Sequence, residues 1–237
     1  MKTLLTVLLV SFSVFGYSNQ KTLDHKLWNQ LLQKHVDNKG NVDYKGFLKD
    51  RKQLKKYLDH LSQNPPKKSW SKNEKLAYYI NAYNAFTVEL ILERYPVKSI
   101  KDIRRPWKIK FIQIGDQTLS LDDIEHNILR NMNEPRIHFA INCASVSCPI
   151  LHNEAFIPSK LEQQLELVTK NFIKSAENII TENELRLSKI FQWYENDYLV
   201  NGIRSLAHYV SQYTDVKINP NARVRFLDYN WDLNEKK

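Results

Sequence analysis

His138, Cys143 and Cys148 fall in one short stretch, residues 136–149, and their types admit three kinds of chemistry. A thiol becomes a nucleophile when a base takes its proton and a third group orients that base. His138 lies five residues before Cys143, and His126 is the other nearby imidazole. Asn81, Asn84 and Asn142 are amides of the type that orients the imidazole in Cys-His-Asn sites. Alternatively, His138, Cys143, Cys148 and His152 have the ligand types of a tetrahedral zinc site. Their intervals of five, five and four are irregular for a knuckle, in which two cysteines stand closer. The third use is a disulfide between Cys143 and Cys148, closing a short loop with a modest entropic gain. A disulfide-bonded Cys143 cannot attack a carbonyl, so these readings exclude one another in their simple forms.

Polar residues elsewhere could complete a site. Glu125 and Arg130 form a possible acid–base or carboxylate-binding pair, although charges on an amphipathic helix more often make its solvated face. His126 lies one helical turn from both Asp122 and Arg130. Asn81 and Asn84, three apart, share a face of an apolar helix. A buried amide costs a few kcal/mol unless hydrogen-bonded. These two therefore either fasten neighbouring loops to the helix or meet a catalytic group or substrate oxygen. The Trp193-Tyr194 and Asp197-Tyr198 cluster either stacks on a sugar or fills a core.

The elements that must position these groups are legible in the apolar spacing. Leu23, Leu27, Trp28, Leu31 and Leu32 mark a helix over 22–35, and Leu54, Tyr57, Leu58 and Leu61 a second, closed by Asn64-Pro65-Pro66. Ser71 and Glu74 make a capping box for a third helix over 72–95. That helix is apolar nearly all round and so belongs at the centre. Residues 108–114 alternate, and Gly115-Asp116 turns them back into 117–119 as a hairpin. Ser120 and Asp123 cap a helix over 121–131. Residues 138–142 alternate around Phe139 and Ile141 and read as a short strand opening into a polar loop. A helix follows at Leu161, Leu165, Val168 and Phe172, then a hairpin pairing 179–180 with 185–187, an aromatic segment over 190–198, a last helix around 206–213, and a closing strand over 224–231. Helices outnumber strands, and the small sheet is built from hairpins and single strands. The class is α+β, mostly helical, in one compact domain over 19–237.

Composition sets the context. With 42% hydrophobic and 11% aromatic residues, 237 residues can bury a core. Lys2, an uncharged run over 4–15 and the small-x-small pattern Gly16-Tyr17-Ser18 predict an export signal over 1–18, cleaved near Ser18. The expected location is therefore secreted or periplasmic, with no transmembrane segment in the mature chain. The net charge of +9 is spread along the sequence, whereas a nucleic-acid binder clusters its positive charge. The expected partner is a small molecule or an anionic envelope polymer, not nucleic acid.

Three ordered motifs complete the reading: residues 80–87 (Ile-Asn-Ala-Tyr-Asn-Ala-Phe-Thr), residues 119–130 around Glu125-His126, and residues 136–143 (Arg-Ile-His-Phe-Ala-Ile-Asn-Cys) with Ser147-Cys148-Pro149. Together with Asp228-Tyr229-Asn230-Trp231, they make the chain resemble domain-of-unknown-function family 547 over roughly residues 23–234. The resemblance implies a shared site at Asn81, Asn84, Glu125, His126, Arg130, His138 and Cys143, and it brings no reaction with it. The resulting expectation is an exported protein with a polar cleft. Cys143 is the nucleophile of a thiol-dependent hydrolase or acyltransferase, His126 or His138 is its base, and Asn81, Asn84, Glu125 and Arg130 bind substrate. No cofactor is expected unless the zinc set forms. The alternative is a non-enzymatic envelope binding domain with a structural Cys143–Cys148 disulfide.

Overall fold

Ser71 starts the element around which the rest packs. Its hydroxyl accepts from the Glu74 amide, and the Glu74 carboxylate accepts from the Ser71 amide, so both exposed donors of the helix start are satisfied. In this computed structural model, which describes residues 23–237, the capped helix is preceded by α1 (Lys26–His35), α2 (Tyr44–Lys49) and α3 (Arg51–Gln63). The capped helix itself is α4 (Lys72–Arg94), buried from Leu76 to Leu92 except at Tyr79. The export signal expected over 1–18 lies outside the described residues.

Helices α1 and α3 pack through Trp28 stacked on Tyr57, ring centroids 5.8 Å apart. The hairpin is shorter than the alternation predicted. Only β1 (Ile112–Ile114) and β2 (Gln117–Leu119) pair, extended by a bond from the Phe111 amide to the Leu119 carbonyl, and Pro106–Lys108 forms a tight turn instead. Ser120 and Asp123 cap the next segment as expected. It then winds as a wide π-helix over Asp123–Leu129 and tightens over Arg130–Met132, where an α-helix to 131 was expected. The Arg130 amide reaches the Glu125 carbonyl, five residues back. Such widened turns recur at functional sites, and this one carries a buried Glu125 beside Ile124 and Leu129.

The predicted strand over 138–142 is not a strand. Residues Ile137–Ala140 form one helical turn, α5, and Ile141 leaves it extended. Alternation misleads here because all five side chains from His138 to Asn142 are buried, so there is no wet face to contrast with a dry one. Asn84 replaces the missing neighbouring strand. Its side-chain amide donates to the Ala140 carbonyl at 2.9 Å, and its carbonyl accepts from the Asn142 amide at 2.8 Å.

The remaining elements are α6 (Leu161–Ile173), β3 (Ile179–Ile180), β4 (Glu184–Leu187), α7 (Lys189–Trp193), α8 (Glu195–Tyr198), α9 (Leu206–Ser211) and β5 (Arg223–Phe226). Strand β4 pairs antiparallel with β3 and parallel with β5. The closing strand ends at Phe226, short of the expected 231, because the backbone beyond it bonds to other partners. Asp232 and Asn230 carbonyls accept from Val146 and Ser147, and the Leu233 amide donates to Lys98. The tail thereby pins the loop that follows α5. The fold is α+β with helices predominating, and its buried apolar residues form one core running from Trp28 to Leu233. Among the described residues no helix is long and apolar enough to cross a membrane.

Candidate functional site

Asn142 shapes the loop that carries both thiols. Its side chain donates to the Pro149 carbonyl at 2.8 Å and accepts from the Ala144 amide at 2.9 Å and from Asn234 at 3.3 Å. Ala144 is forced into the left-handed region (φ 60°), a strain that persists only where surrounding bonds impose it. The loop thus faces Cys143 toward Cys148. Their sulfurs stand 3.0 Å apart as two free thiols, well beyond the ~2.05 Å of a disulfide. The disulfide weighed from the sequence is not formed in this structure.

The two sulfurs have different surroundings. Cys143 Sγ also lies 3.2 Å from Ser145 Oγ and 3.3 Å from Tyr229 Oη, and these hydroxyls are 3.0 Å apart. The Cys148 hydrogen bond lowers the Cys143 thiol; burial opposes it, and the Ser145 and Tyr229 hydroxyls add to the lowering, leaving Cys143 below the ordinary thiol range. Burial pushes Cys148 well above that range, so it keeps its proton. The Cys143 backbone amide donates to Cys148 Sγ at 3.0 Å. Of the two sulfurs, Cys143 therefore carries the more readily ionised thiol.

His138, on α5, sits in the same cleft. Its ring stacks on Tyr194 with centroids 3.9 Å apart, and Nε2 is 2.8 Å from Asp197 Oδ2. Arg130 grips Asp197 through two bonds, Nε to Oδ2 at 2.6 Å and Nη2 to Oδ1 at 2.8 Å, the strong bidentate geometry. Burial raises the Asp197 carboxyl, but Arg130 and His138 together outweigh it and hold the group below the usual carboxylate range. An ionised Asp197 accepts from Nε2–H, and in the neutral imidazole that tautomer places the lone pair on Nδ1. That nitrogen is buried and has no hydrogen-bond partner. Glu125, also buried, accepts from the Tyr83 hydroxyl at 3.1 Å and from the Tyr194 hydroxyl. Burial and the adjacent Glu125 raise the Tyr194 phenol, keeping it a donor.

Tyr83, Glu125, His138, Cys143, Cys148, Tyr194 and Tyr229 line a cleft of about 260 Å³, with Asp197 and Arg130 outside its wall. Trp193 stacks on Trp231 at 5.7 Å, and Trp107 meets Trp231 edge-on at 5.6 Å, giving the cleft an aromatic rim. Asp122 and His126 form a polar edge.

Cys143, His138, His126 and Glu125 all line the cleft. Arg130 lies behind His138, bonded to Asp197 and to His126 Nδ1 at 3.1 Å, and acts on the site by orientation. Asn81 and Asn84 do not line the cleft. Asn81 donates to the Phe156 carbonyl at 2.7 Å and accepts from its amide at 3.0 Å, and Asn84 is spent likewise on 140 and 142. Both are loop clamps, buried and turned to loop backbone away from the cleft. Among the described residues, no hydrogen bond joins Cys143 to either histidine, and no three metal-ligating side chains are grouped to hold an ion. Of the alternative zinc set, His138, Cys143 and Cys148 line the cleft, whereas His152 packs on Phe156 and is not part of the cleft wall.

Sequence reasoning missed Ser145, held Tyr194 and Asp197 only as a cluster that either stacks on a sugar or fills a core, and met Tyr83 and Tyr229 only within motifs of the family resemblance. One signal was available for Asp197: a carboxylate inside the aromatic segment 190–198 needs a cation, and Arg130 needed an anion.

Residues 67–173 match the family model described as "Protein of unknown function, DUF547". This segment belongs to the DUF547 family. The match is narrower than the resemblance traced over residues 23–234. The DUF547 segment supplies Tyr83, Glu125, His126, His138, Cys143 and Cys148, whereas Tyr194, Asp197 and Tyr229 come from beyond its end. Comparison with curated proteins and with solved structures gives no match.

Proposed function

We propose that the cleft is the active site of an exported thiol-dependent hydrolase or acyltransferase, with Cys143 as nucleophile and His138 as base. One observation carries this reading. Asp197 fixes Nε2 of His138 and is itself held by Arg130, while Nδ1 is left unpartnered in a side chain that shares the cleft with a lowered thiol. This is the order nucleophile, base, orienter, with substrate to be bound between the first two; catalytic hydrogen bonds of this kind tighten only in the complex.

In the proposed reaction the Cys143 thiolate attacks an acyl carbonyl. The hydroxyls of Ser145 and Tyr229, both against Sγ, donate to the oxygen that becomes negative. His138, having taken the Cys143 thiol proton on Nδ1, delivers it to the leaving group and then takes a proton from the water or acceptor that releases the thioester. Glu125 positions Tyr194 beneath the His138 ring, and His126 contributes to binding at the cleft edge. The aromatic rim fits a small apolar or sugar-bearing acyl compound of the cell envelope.

Hydrolysis of p-nitrophenyl acetate tests the assignment. Cys143→Ser should abolish turnover, and His138→Gln should lower kcat by about 10²–10⁴-fold. Turnover at the wild-type rate in Cys143→Ser would overturn it. A non-enzymatic binding domain is the second reading, favoured by the purely structural use of Asn81 and Asn84; it expects Cys143→Ala to retain ligand binding.

A further inference from the structure

We propose that Cys143 and Cys148 are a hydroperoxide-reactive dithiol, in which Cys143 is oxidised first and Cys148 resolves it into a disulfide that removes the cleft's nucleophile. The inference rests on the reactivity assigned to Cys143, but it needs neither His138 nor any acyl substrate.

Four observations support it. The sulfurs are 3.0 Å apart, so bond formation requires only about 1 Å of approach. Asn142 bonds to Ala144 and Pro149, near both ends of the loop, and fixes it before oxidation, so little chain freedom remains to be lost on closure. Both cysteines line the cleft, but Cys143 is half-buried while Cys148 is buried, which makes Cys143 the more accessible sulfur for an oxidant. Finally, the Ser145 and Tyr229 hydroxyls touch Cys143 Sγ and each other, at the place where a departing oxygen needs a proton. The rim of Trp107, Trp193 and Trp231 suits a hydroperoxide with an apolar or aromatic body.

The chemistry balances in two steps. The Cys143 thiolate attacks the terminal oxygen of ROOH, the O–O bond breaks, and Cys143 becomes a sulfenic acid. The alkoxide takes the proton of the Tyr229 or Ser145 hydroxyl, which solvent restores, and leaves as ROH. Cys148 then attacks the sulfenic sulfur; the S–S bond forms and hydroxide leaves with the Cys148 proton as water. Two electrons have passed from the sulfurs to the peroxide. A small external dithiol returns the pair to thiols by exchange.

The test uses the full chain, reduced and freed of reductant, with cumene hydroperoxide as the probe and intact mass after denaturing alkylation as the readout. The expected result is a protein two hydrogens lighter with no alkyl adducts, formed at least about tenfold faster than disulfide in a free dithiol. In Cys148→Ser the oxidation should stop at a sulfenic acid that dimedone traps on Cys143. Tyr229→Phe should slow the first step about tenfold while its circular dichroism matches wild type. Two alkyl adducts after treatment, dimedone on Cys148, or oxidation no faster than in the free dithiol would each overturn the proposal. Because the readout is on sulfur, failure of ester turnover leaves this result unaffected, and the converse also holds.

Discussion

Asp197 is the residue on which the polar half of the cleft turns, since it joins Arg130 on one side to His138 on the other. Its folded-state carboxyl is depressed below the ordinary value. The sign follows: its contribution to stability is complete above pH ~4 and is lost as pH falls below that toward the folded value. Asp197→Asn should therefore cost roughly 1–3 kcal/mol at neutral pH, and the difference from wild type should shrink on acidification below pH ~4. Urea unfolding across pH measures it; a gap that stays constant into strong acid would contradict the assignment. The candidate site residues legible in the sequence were those whose type alone carries chemistry: Cys143, His138, His126 and Glu125. The bonds of Asp197 to Arg130 and of Tyr229 to Cys143 were not legible, because these partners stand more than fifty residues away in sequence.

Among the elements, the buried helix α4 matters through the two amides on one of its faces. Asn84 takes the bonds that a neighbouring strand would otherwise satisfy at 140 and 142, and Asn81 does the same at 156. Asn84→Ala leaves one buried acceptor and one buried donor without partners. It should cost about 2–4 kcal/mol by urea unfolding. Asn84→Asp should not rescue it, since a carboxylate cannot donate to Ala140. A loss below ~0.5 kcal/mol would show that the clamp is dispensable. The capped start of α4, α6 and both hairpins were legible because local signals set them: Ser71 with Glu74, apolar spacing over 161–173, and the turn at Gly115. Helical α5 and the π-turn over Asp123–Leu129 were not. Their geometry is set by tertiary bonds and by the burial of Glu125, neither of which appears in periodicity.

At the scale of the whole molecule, the cleft is assembled from segments far apart in sequence. The DUF547 segment brings the thiols, His138 and Glu125; α7 and α8 bring Tyr194 and Asp197; the tail brings Tyr229 and Trp231. The tail's backbone holds the loop of Cys143 while its tyrosine touches the sulfur, so the reactivity of Cys143 reports on the closure of the entire fold. The α+β class was legible because helical spacing outweighs strand signals that come as hairpins and single strands, but the tail beyond Phe226 looked like a strand because its aromatic residues suit one. Its partners turned out to be loops. The most direct measurement is the rate of iodoacetamide labelling as a function of pH, with peptide mapping, in wild type and Tyr229→Phe. The prediction is that Cys143 alone is labelled in the folded protein, with an apparent pKa below the ordinary thiol value of ~8.5, and that Tyr229→Phe moves this pKa upward. Equal labelling of Cys143 and Cys148 at the ordinary thiol pH, unmoved by Tyr229→Phe, would contradict the account.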